Sequence, residues 1–282
     1  MTPRIAFQGE LGSYSHQAAE TAHPGHAPVP CATFEDALAS VREGRADLGM
    51  IAIENSTYGR VADVHRLLPE SGLHVVGEAF VRVRIALMAP AGTALKDVRL
   101  VRAHLVLIPQ ARAFLDAHGI RGVPAADSAG AAAALAAAPV PGEGVLASEM
   151  AARTYGLEVL AEGVEDAAHN TTRFLVMAAA PDAPAPGSGP IKTTFVFRVR
   201  NLPAALYKAM GGFATNGVNM TKLESYMVDG AFTATQFYAD IEGHPDDPAV
   251  ARALEELAYF TSRLTVLGTY PADPEHFDGG AR

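Results

Sequence analysis

AAAPDAPAPGSGP, residues Ala178–Pro190, is the stretch that decides how the chain divides. Alanine, proline, glycine and serine at that density leave no side chains to build a core, so the segment reads as a semi-stiff linker between folded parts. Residues 1–178 then form one part, 179–190 the linker, 191–272 a second part and 273–282 a tail. The chain has 282 residues, 49% of them hydrophobic, which is enough material for two buried cores.

On the C-terminal side of the linker the pattern predicts a strand over Lys192 to Arg200 and a helix from Pro203 to Asn216. Ala205, Leu206, Ala209, Met210 and Phe213 recur there at helical spacing, and Gly217 sits just past the end. Strands are expected at Val218 to Tyr226 and Ala231 to Ile241, joined by a hairpin turn at Val228-Asp229-Gly230. A helix over Pro248 to Phe260 and a strand over Thr265 to Tyr270 complete the order βαββαβ, a ferredoxin-like split unit.

On the N-terminal side strands and helices alternate, which argues for parallel α/β sheet. Strands are expected at Ile5 to Phe7, Leu48 to Ile53, Leu73 to Val76, Arg82 to Ala89, Val98 to Val101 and Gly144 to Ala147. Helices are expected at His16 to Ala22, Phe34 to Arg42, Val61 to Leu68, Ala111 to His118 and Gly130 to Ala138. Two extended passages, Val75 to Met88 and Leu157 to Met177, have the length to cross between two α/β lobes, with a ligand cleft between them.

Composition removes several classes of function. One cysteine, Cys31, rules out an intrachain disulfide and a cysteine-rich zinc site, and it fits a reducing compartment. The net charge of −9 carries no block of Lys or Arg, so no nucleic-acid partner is expected. The ten histidines are scattered without ligand spacing, so no metal is expected. Met1-Thr2-Pro3-Arg4 runs straight into Ile5-Ala6-Phe7, unlike a secretory signal, and the alanine-rich Ala129 to Val140 is too short to span a bilayer. A cytoplasmic protein without a membrane partner is the expectation.

Four donor-rich loops lie where strands of such lobes would end. Gln8 to His16 offers glycines for close backbone approach and hydroxyls able to bind an anion at the start of the helix that follows, or Ser15 to cap that helix. Glu54-Asn55-Ser56-Thr57-Tyr58-Gly59-Arg60 follows a buried strand, and α/β ligands bind at strand carboxyl ends. Val101 to Arg112 carries His104 and Gln110 as its uncharged hydrogen-bonding side chains. Asn170-Thr171-Thr172-Arg173-Phe174 crowds an amide, two hydroxyls and a guanidinium before an apolar run. No Ser-His-Asp order, phosphate loop or dinucleotide glycine fingerprint is present.

Those loops and the C-terminal unit, taken in order, resemble prephenate dehydratase. The matching segments are GELGSYSHQAA (Gly9 to Ala19), IAIENSTYGRV (Ile51 to Val61), LASEMAARTYGLEVL (Leu146 to Leu160), NTTRF (Asn170 to Phe174) and LYKAMGGFATNGVNMTKLES (Leu206 to Ser225). The resemblance implies a catalytic part similar to two-lobed type II periplasmic binding proteins, followed by a ferredoxin-like regulatory ACT domain. It departs from the family pattern at Ala103 to Ile108, which keeps only the His of a Ser-His-Pro-Gln-Ala-Leu run, and in the ACT motifs at Ala204 to Tyr207 and Glu224 to Met227.

The implied reaction needs no cofactor: prephenate loses CO2 and its ring hydroxyl and becomes phenylpyruvate, on the way to phenylalanine. By resemblance Thr172, Arg173 and Asn55 are catalytic, with Thr172 as a positioned donor to the departing hydroxyl. Arg173 would fork onto a substrate carboxylate, or else pair structurally with Glu54 or Asp127. Ser13, Glu54, Ser56, Thr57, Gln110, Asn170 and Phe174 are the implied substrate-binding residues. L-phenylalanine is the implied effector, held near Ala205, Leu206, Asn219, Glu224 and Ser225 at a subunit interface of a homodimer or homotetramer. Arogenate dehydratase and a non-catalytic amino-acid-sensing protein are the alternatives.

Overall fold

The computed structural model describes residues 2–200, 202–227 and 234–277. In chain order it has β1 (Arg4–Gln8), α1 (Tyr14–Ala22), β2 (Ala27–Cys31), α2 (Phe34–Arg42), β3 (Leu48–Asn55), β4 (Gly59–Arg60), α3 (Ala62–Leu67) and β5 (His74–Arg82). Next come β6 (Ala86–Ala89), β7 (Leu100–His104), α4 (Arg112–His118), β8 (Arg121–Ala125), α5 (Ser128–Ala137), β9 (Glu143–Ala147), α6 (Glu149–Tyr155), β10 (Glu158–Ala161) and β11 (Thr171–Ala178). After the linker follow β12 (Ile191–Val199), α7 (Ala205–Thr215), β13 (Met220–Met227), β14 (Ala234–Glu242), α8 (Pro248–Phe260) and β15 (Thr261–Pro271). The expected turn Val228-Asp229-Gly230 lies outside the described residues.

Two compact units emerge, and their division is not linear. One holds the residues up to Val61 plus Phe80–Phe174; the other holds Ala62–Ala79 plus the chain from Leu175.

The first unit contains two sheets. In one, β1 lies between β2 and β3, parallel to both, with Ile5 opposite Pro28 and Leu48. Ile5, Phe7, Met50, Ile51 and Ile53 are fully buried in it. Because the three strands are parallel, the loops after β1 and β3 leave from the same edge. The second sheet runs β10-β6-β9-β7-β8, with β7, β8 and β9 parallel and β6 antiparallel to β9 and β10. Segments 83–85 and 162–170 run side by side between the sheets, tied by Val83 N–H to the Asn170 carbonyl (2.8 Å), Val164 N–H to the Ile85 carbonyl (3.0 Å) and Ile85 N–H to Glu165 Oε2 (2.8 Å). That crossing breaks the single strand expected over Arg82 to Ala89 into the end of β5 and a separate β6.

In the second unit the sheet order is β13-β14-β12-β15, antiparallel throughout. The βαββαβ order is thus present, with Phe213 of α7 and Leu257 of α8 in one core cluster with Phe195, Phe197 and Phe237 of the sheet. Helix α7 starts at Ala205 instead of Pro203 because Ala204 takes a left-handed φ of 61° as its N-cap. Residues 62–79 belong to this unit through buried contacts: Lys192 Nζ meets Glu78 Oε1 at 2.9 Å, and the His65 ring stands edge-on to Tyr238 at 4.8 Å. β15 comes so close to β5 that a Cβ on Gly268 would overlap the Val75 carbonyl oxygen.

Candidate functional site

The site begins with what the sequence loops do to one another. Asn55 ends β3, Asn170 precedes β11, Thr172 is the second residue of β11, and Gln110 sits in the turn between β7 and α4. Their side chains form one hydrogen-bonded chain. Gln110 Nε2 donates to the Val106 carbonyl at 2.9 Å, and Gln110 Oε1 accepts from Asn170 Nδ2 at 2.5 Å. Asn170 Oδ1 accepts from Asn55 Nδ2 at 2.6 Å, and that same nitrogen donates to Thr172 Oγ1 at 3.0 Å. Asn55 Oδ1 accepts the backbone N–H groups of Thr57 (2.9 Å) and Tyr58 (3.0 Å). A carbonyl anchors one end and two N–H groups the other, so only one orientation of each amide satisfies the whole chain. Thr172 Oγ1 therefore accepts, and its own hydrogen points elsewhere.

The remaining residues of these loops divide by role. Ser56 donates to the His169 carbonyl (3.1 Å) and accepts from Thr171 N–H (2.9 Å), so its hydroxyl latches β3 to the start of β11. The Thr57 backbone holds Asn55, as described, and its side chain is exposed. Phe174 is 1% exposed and belongs to the core. Gln110 and Asn170 are likewise engaged with each other before any substrate arrives. Arg173 Nη1 pairs with Glu54 Oε1 at 2.9 Å with both side chains largely out of water, so the structural pairing foreseen for Arg173 is realised with Glu54.

A cavity of about 210 Å³ opens at the carboxyl ends of β1, β7, β8 and β9. Gln8, Ser13, Tyr14, Ser15, His104, Asp127, Ser128 and Ser148 supply its polar lining. Of the expected substrate contacts only Ser13 lines it. Three N-cap residues meet here: Ser13 accepts from His16 N–H, Asp127 from Gly130 N–H and Ser148 from Ala151 N–H. The positive ends of their helices therefore face the same space and favour a negative guest. Among the described residues, the only carboxyl side chain in the lining is that of Asp127. The sequence did carry a signal for these residues, a Ser or Asp directly before an alanine-rich helix.

Two titrating groups brace the wall. Tyr14 donates to the Arg84 carbonyl at 2.7 Å. Burial, then the carboxylates of Glu165 and Glu149, push its phenol well above the ordinary range, so it stays a neutral donor. His16 Nδ1 accepts Gly12 N–H at 2.9 Å while its ring stacks on Phe7, and burial lowers its pKa. Ser148 Oγ donates to the Gly12 carbonyl at 2.5 Å, fastening the first loop to the second sheet.

In the second unit, β13 alternates faces, so Glu224 and Ser225 point to opposite sides of the sheet. Glu224 pairs with Lys222 at 3.0 Å. A groove of about 520 Å³ is lined by Arg200, Leu202, Pro203, Ala205, Lys208, Ala258, Tyr259 and Phe260. It takes in Ala205 but not Leu206, Asn219, Glu224 or Ser225. Among the described residues no His, Cys, Asp and Glu cluster could hold a metal ion, and no helix is long and apolar enough to cross a membrane.

Comparison with known proteins places this geometry. A family model described as prephenate dehydratase matches residues 5–182. The chain is 49% identical, over 96% of each sequence, to a protein of Komagataeibacter europaeus named bifunctional N-acyl-homoserine lactone acylase/prephenate dehydratase. It is 36% identical to arogenate dehydratase 2 of Petunia hybrida, over 96% of this chain and 72% of that one. Among solved structures, prephenate dehydratase in complex with L-Phe from Arthrobacter aurescens is similar with a TM-score of 0.87 and 29% identity, covering 98% of this chain and 95% of that one.

Proposed function

Because the chain belongs to the prephenate dehydratase family, we propose that it converts prephenate to phenylpyruvate, CO2 and water. The observation that carries the reading is Asn55 Nδ2 donating to Thr172 Oγ1 at 3.0 Å. With its oxygen already accepting, the Thr172 hydroxyl has its hydrogen to offer, and that hydrogen is directed at the ring hydroxyl that departs as water. The C–O bond breaks with proton delivery, the ring carboxylate leaves as CO2, and its bonding pair completes the aromatic ring. A threonine is far too weak an acid to protonate the ring hydroxyl before its C–O bond breaks; positioning and the low-dielectric surroundings make the donation effective as hydroxide develops, and Thr172 Oγ1 then regains a proton from solvent. The Arg173–Glu54 pair stands beside Thr172 on β11 and keeps this wall neutral without water. The cavity with its three capped helix starts receives a carboxylate against the overall charge of −9.

Residues 1–178 carry this chemistry on our reading, and 191–272 form an ACT domain that binds L-phenylalanine and lowers activity, in a homodimer or larger homo-oligomer in the cytoplasm. The βαββαβ order and the likeness to a relative whose structure holds L-Phe support that role. A second substrate has an observation of its own. Asp127 has the only carboxyl side chain among the described residues lining the cavity, and an acidic group there suits the ammonium of arogenate better than the keto group of prephenate. The acylase activity in the name of the K. europaeus relative would need a hydroxyl beside a base. Here Ser13 caps α1 and His16 Nδ1 accepts Gly12 N–H, so that pair is already engaged.

Initial rates with prephenate and with arogenate, each with and without phenylalanine, test the proposal by ultraviolet detection of phenylpyruvate or by amino-acid analysis. Turnover of prephenate that phenylalanine suppresses is the expected result. Turnover of arogenate alone would replace the substrate, and turnover of neither would remove the activity.

A further inference from the structure

We propose that Gln110 and Asn170 are positioning residues that act on the reaction through Asn55 and the Thr172 hydroxyl, without touching substrate. The inference rests on the dehydratase reading and deepens it. Asn170 is 2% exposed, and its amide is consumed on both sides, by Gln110 Oε1 at 2.5 Å and Asn55 Nδ2 at 2.6 Å. Gln110 is consumed likewise, its nitrogen on the Val106 carbonyl and its oxygen on Asn170.

What these bonds decide is direction. Asn55 carries one NH2 group with two hydrogens; one goes to Asn170 Oδ1 and the other to Thr172 Oγ1. If Asn170 no longer accepts, the first hydrogen loses its partner and the amide can swing, and the hydrogen bond that makes Thr172 an acceptor is no longer held in place. The Thr172 hydrogen can then turn back toward its own strand instead of toward a leaving oxygen. The backbone N–H groups of Thr57 and Tyr58 that Asn55 Oδ1 accepts polarise the same amide, which strengthens its donation to Thr172 Oγ1 and makes that hydroxyl a better donor. Gln110 is 60 residues from Asn170 in sequence and Asn55 is 115 residues from it, so the line is assembled only by the fold.

The test is kinetic. Gln110→Met keeps the volume of the side chain but ends the line. It should lower kcat about 10- to 100-fold, part of the span of a positioned proton donor, and leave KM within about 2-fold. The same change made in a Thr172→Ala background should cost nothing further, because the group it acts through is gone. A rise in KM with kcat held, or the full penalty persisting in the Thr172→Ala background, would overturn the proposal. A second readout does not depend on residual activity: the side-chain amide NMR resonance of Asn55 should move in Gln110→Met although the two residues do not touch, and an unmoved resonance would overturn it equally. Wild-type protein that turns over neither prephenate nor arogenate defeats the dehydratase reading instead, while the NMR result still judges the line of amides.

Discussion

Gly12→Ala should be costly for two separable reasons, both worked from the loop that shapes the cavity. Gly12 has φ +84°, and a Cβ built there would lie 2.7 Å from Ala151 Cα, 3.1 Å from Ala151 Cβ and 3.2 Å from Ala151 N. Two of those three atoms are backbone of α6, so no side chain can rotate away. A left-handed conformation costs an L residue about 1–2 kcal/mol, and forced overlap in a packed site about 1–3 kcal/mol more. Together these give about 2–5 kcal/mol, and at about 2–4 °C per kcal/mol for a unit of this size the melting temperature should fall by at least about 4 °C. Gly25→Ala isolates the first part, since Gly25 has φ +89° with nothing within 4 Å of its Cβ position. The difference between the two variants is then the steric part alone. Thermal unfolding by circular dichroism measures both. Ala151→Gly added to Gly12→Ala should recover only part of the loss, because the overlap with the Ala151 backbone at 2.7 Å remains. Equal melting temperatures for Gly12→Ala and Gly25→Ala would refute the close approach. Because Gly12 also donates to His16 and accepts from Ser148, its displacement should raise KM as well.

Lys192→Met should destabilise the second unit by about 3–5 kcal/mol, since it takes the cation away from Glu78 in a pair whose side chains are 5% and 0% exposed. Denaturant unfolding decides it, and a loss under about 1 kcal/mol would mean that the pair contributes little. His16 gives a pH dependence with a definite sign. Burial lowers its pKa in the folded state, so its contribution is complete above the unfolded value near 6.5 and is lost as pH falls below it. Stability measured from pH 7.5 to 5 should therefore decline more steeply in wild type than in His16→Gln, and identical slopes would exclude His16 as the cause.

Much of the fold was readable because period and punctuation agreed. In the C-terminal unit the helical spacing of Val250 and Leu257, both now buried, and the strand pattern around Phe195 and Phe197 pointed to the observed elements. Two of the strands that escaped did so for one physical reason. β2 carries Pro28 and Pro30, and β8 carries Pro124, which reads as turn chemistry. Both strands are sheet edges, where a missing N–H costs no ladder bond. Helix α6 was overlooked although Ser148 caps its start and Gly156 closes its end at φ +69°. At the site, the residue types in the loops announced hydrogen bonding but not its direction. The bonds that Ser56, Gln110 and Asn170 make were not foreseen because their partners lie 60 to 115 residues away or in the backbone, where sequence pattern is blind. The same distance hid Asp127, Ser128 and Ser148, which reach the cavity only when β8 and β9 align beside β7.

The claim at the centre of the account is that the Thr172 hydroxyl supplies the proton to the leaving oxygen. Its most direct test is steady-state prephenate turnover by Thr172→Ala beside Thr172→Ser. Loss of a positioned donor should lower kcat in Thr172→Ala by about 10²–10⁴-fold at little change in KM, with Thr172→Ser keeping most of the rate. A Thr172→Ala enzyme that turns over at close to the wild-type rate would contradict the mechanism.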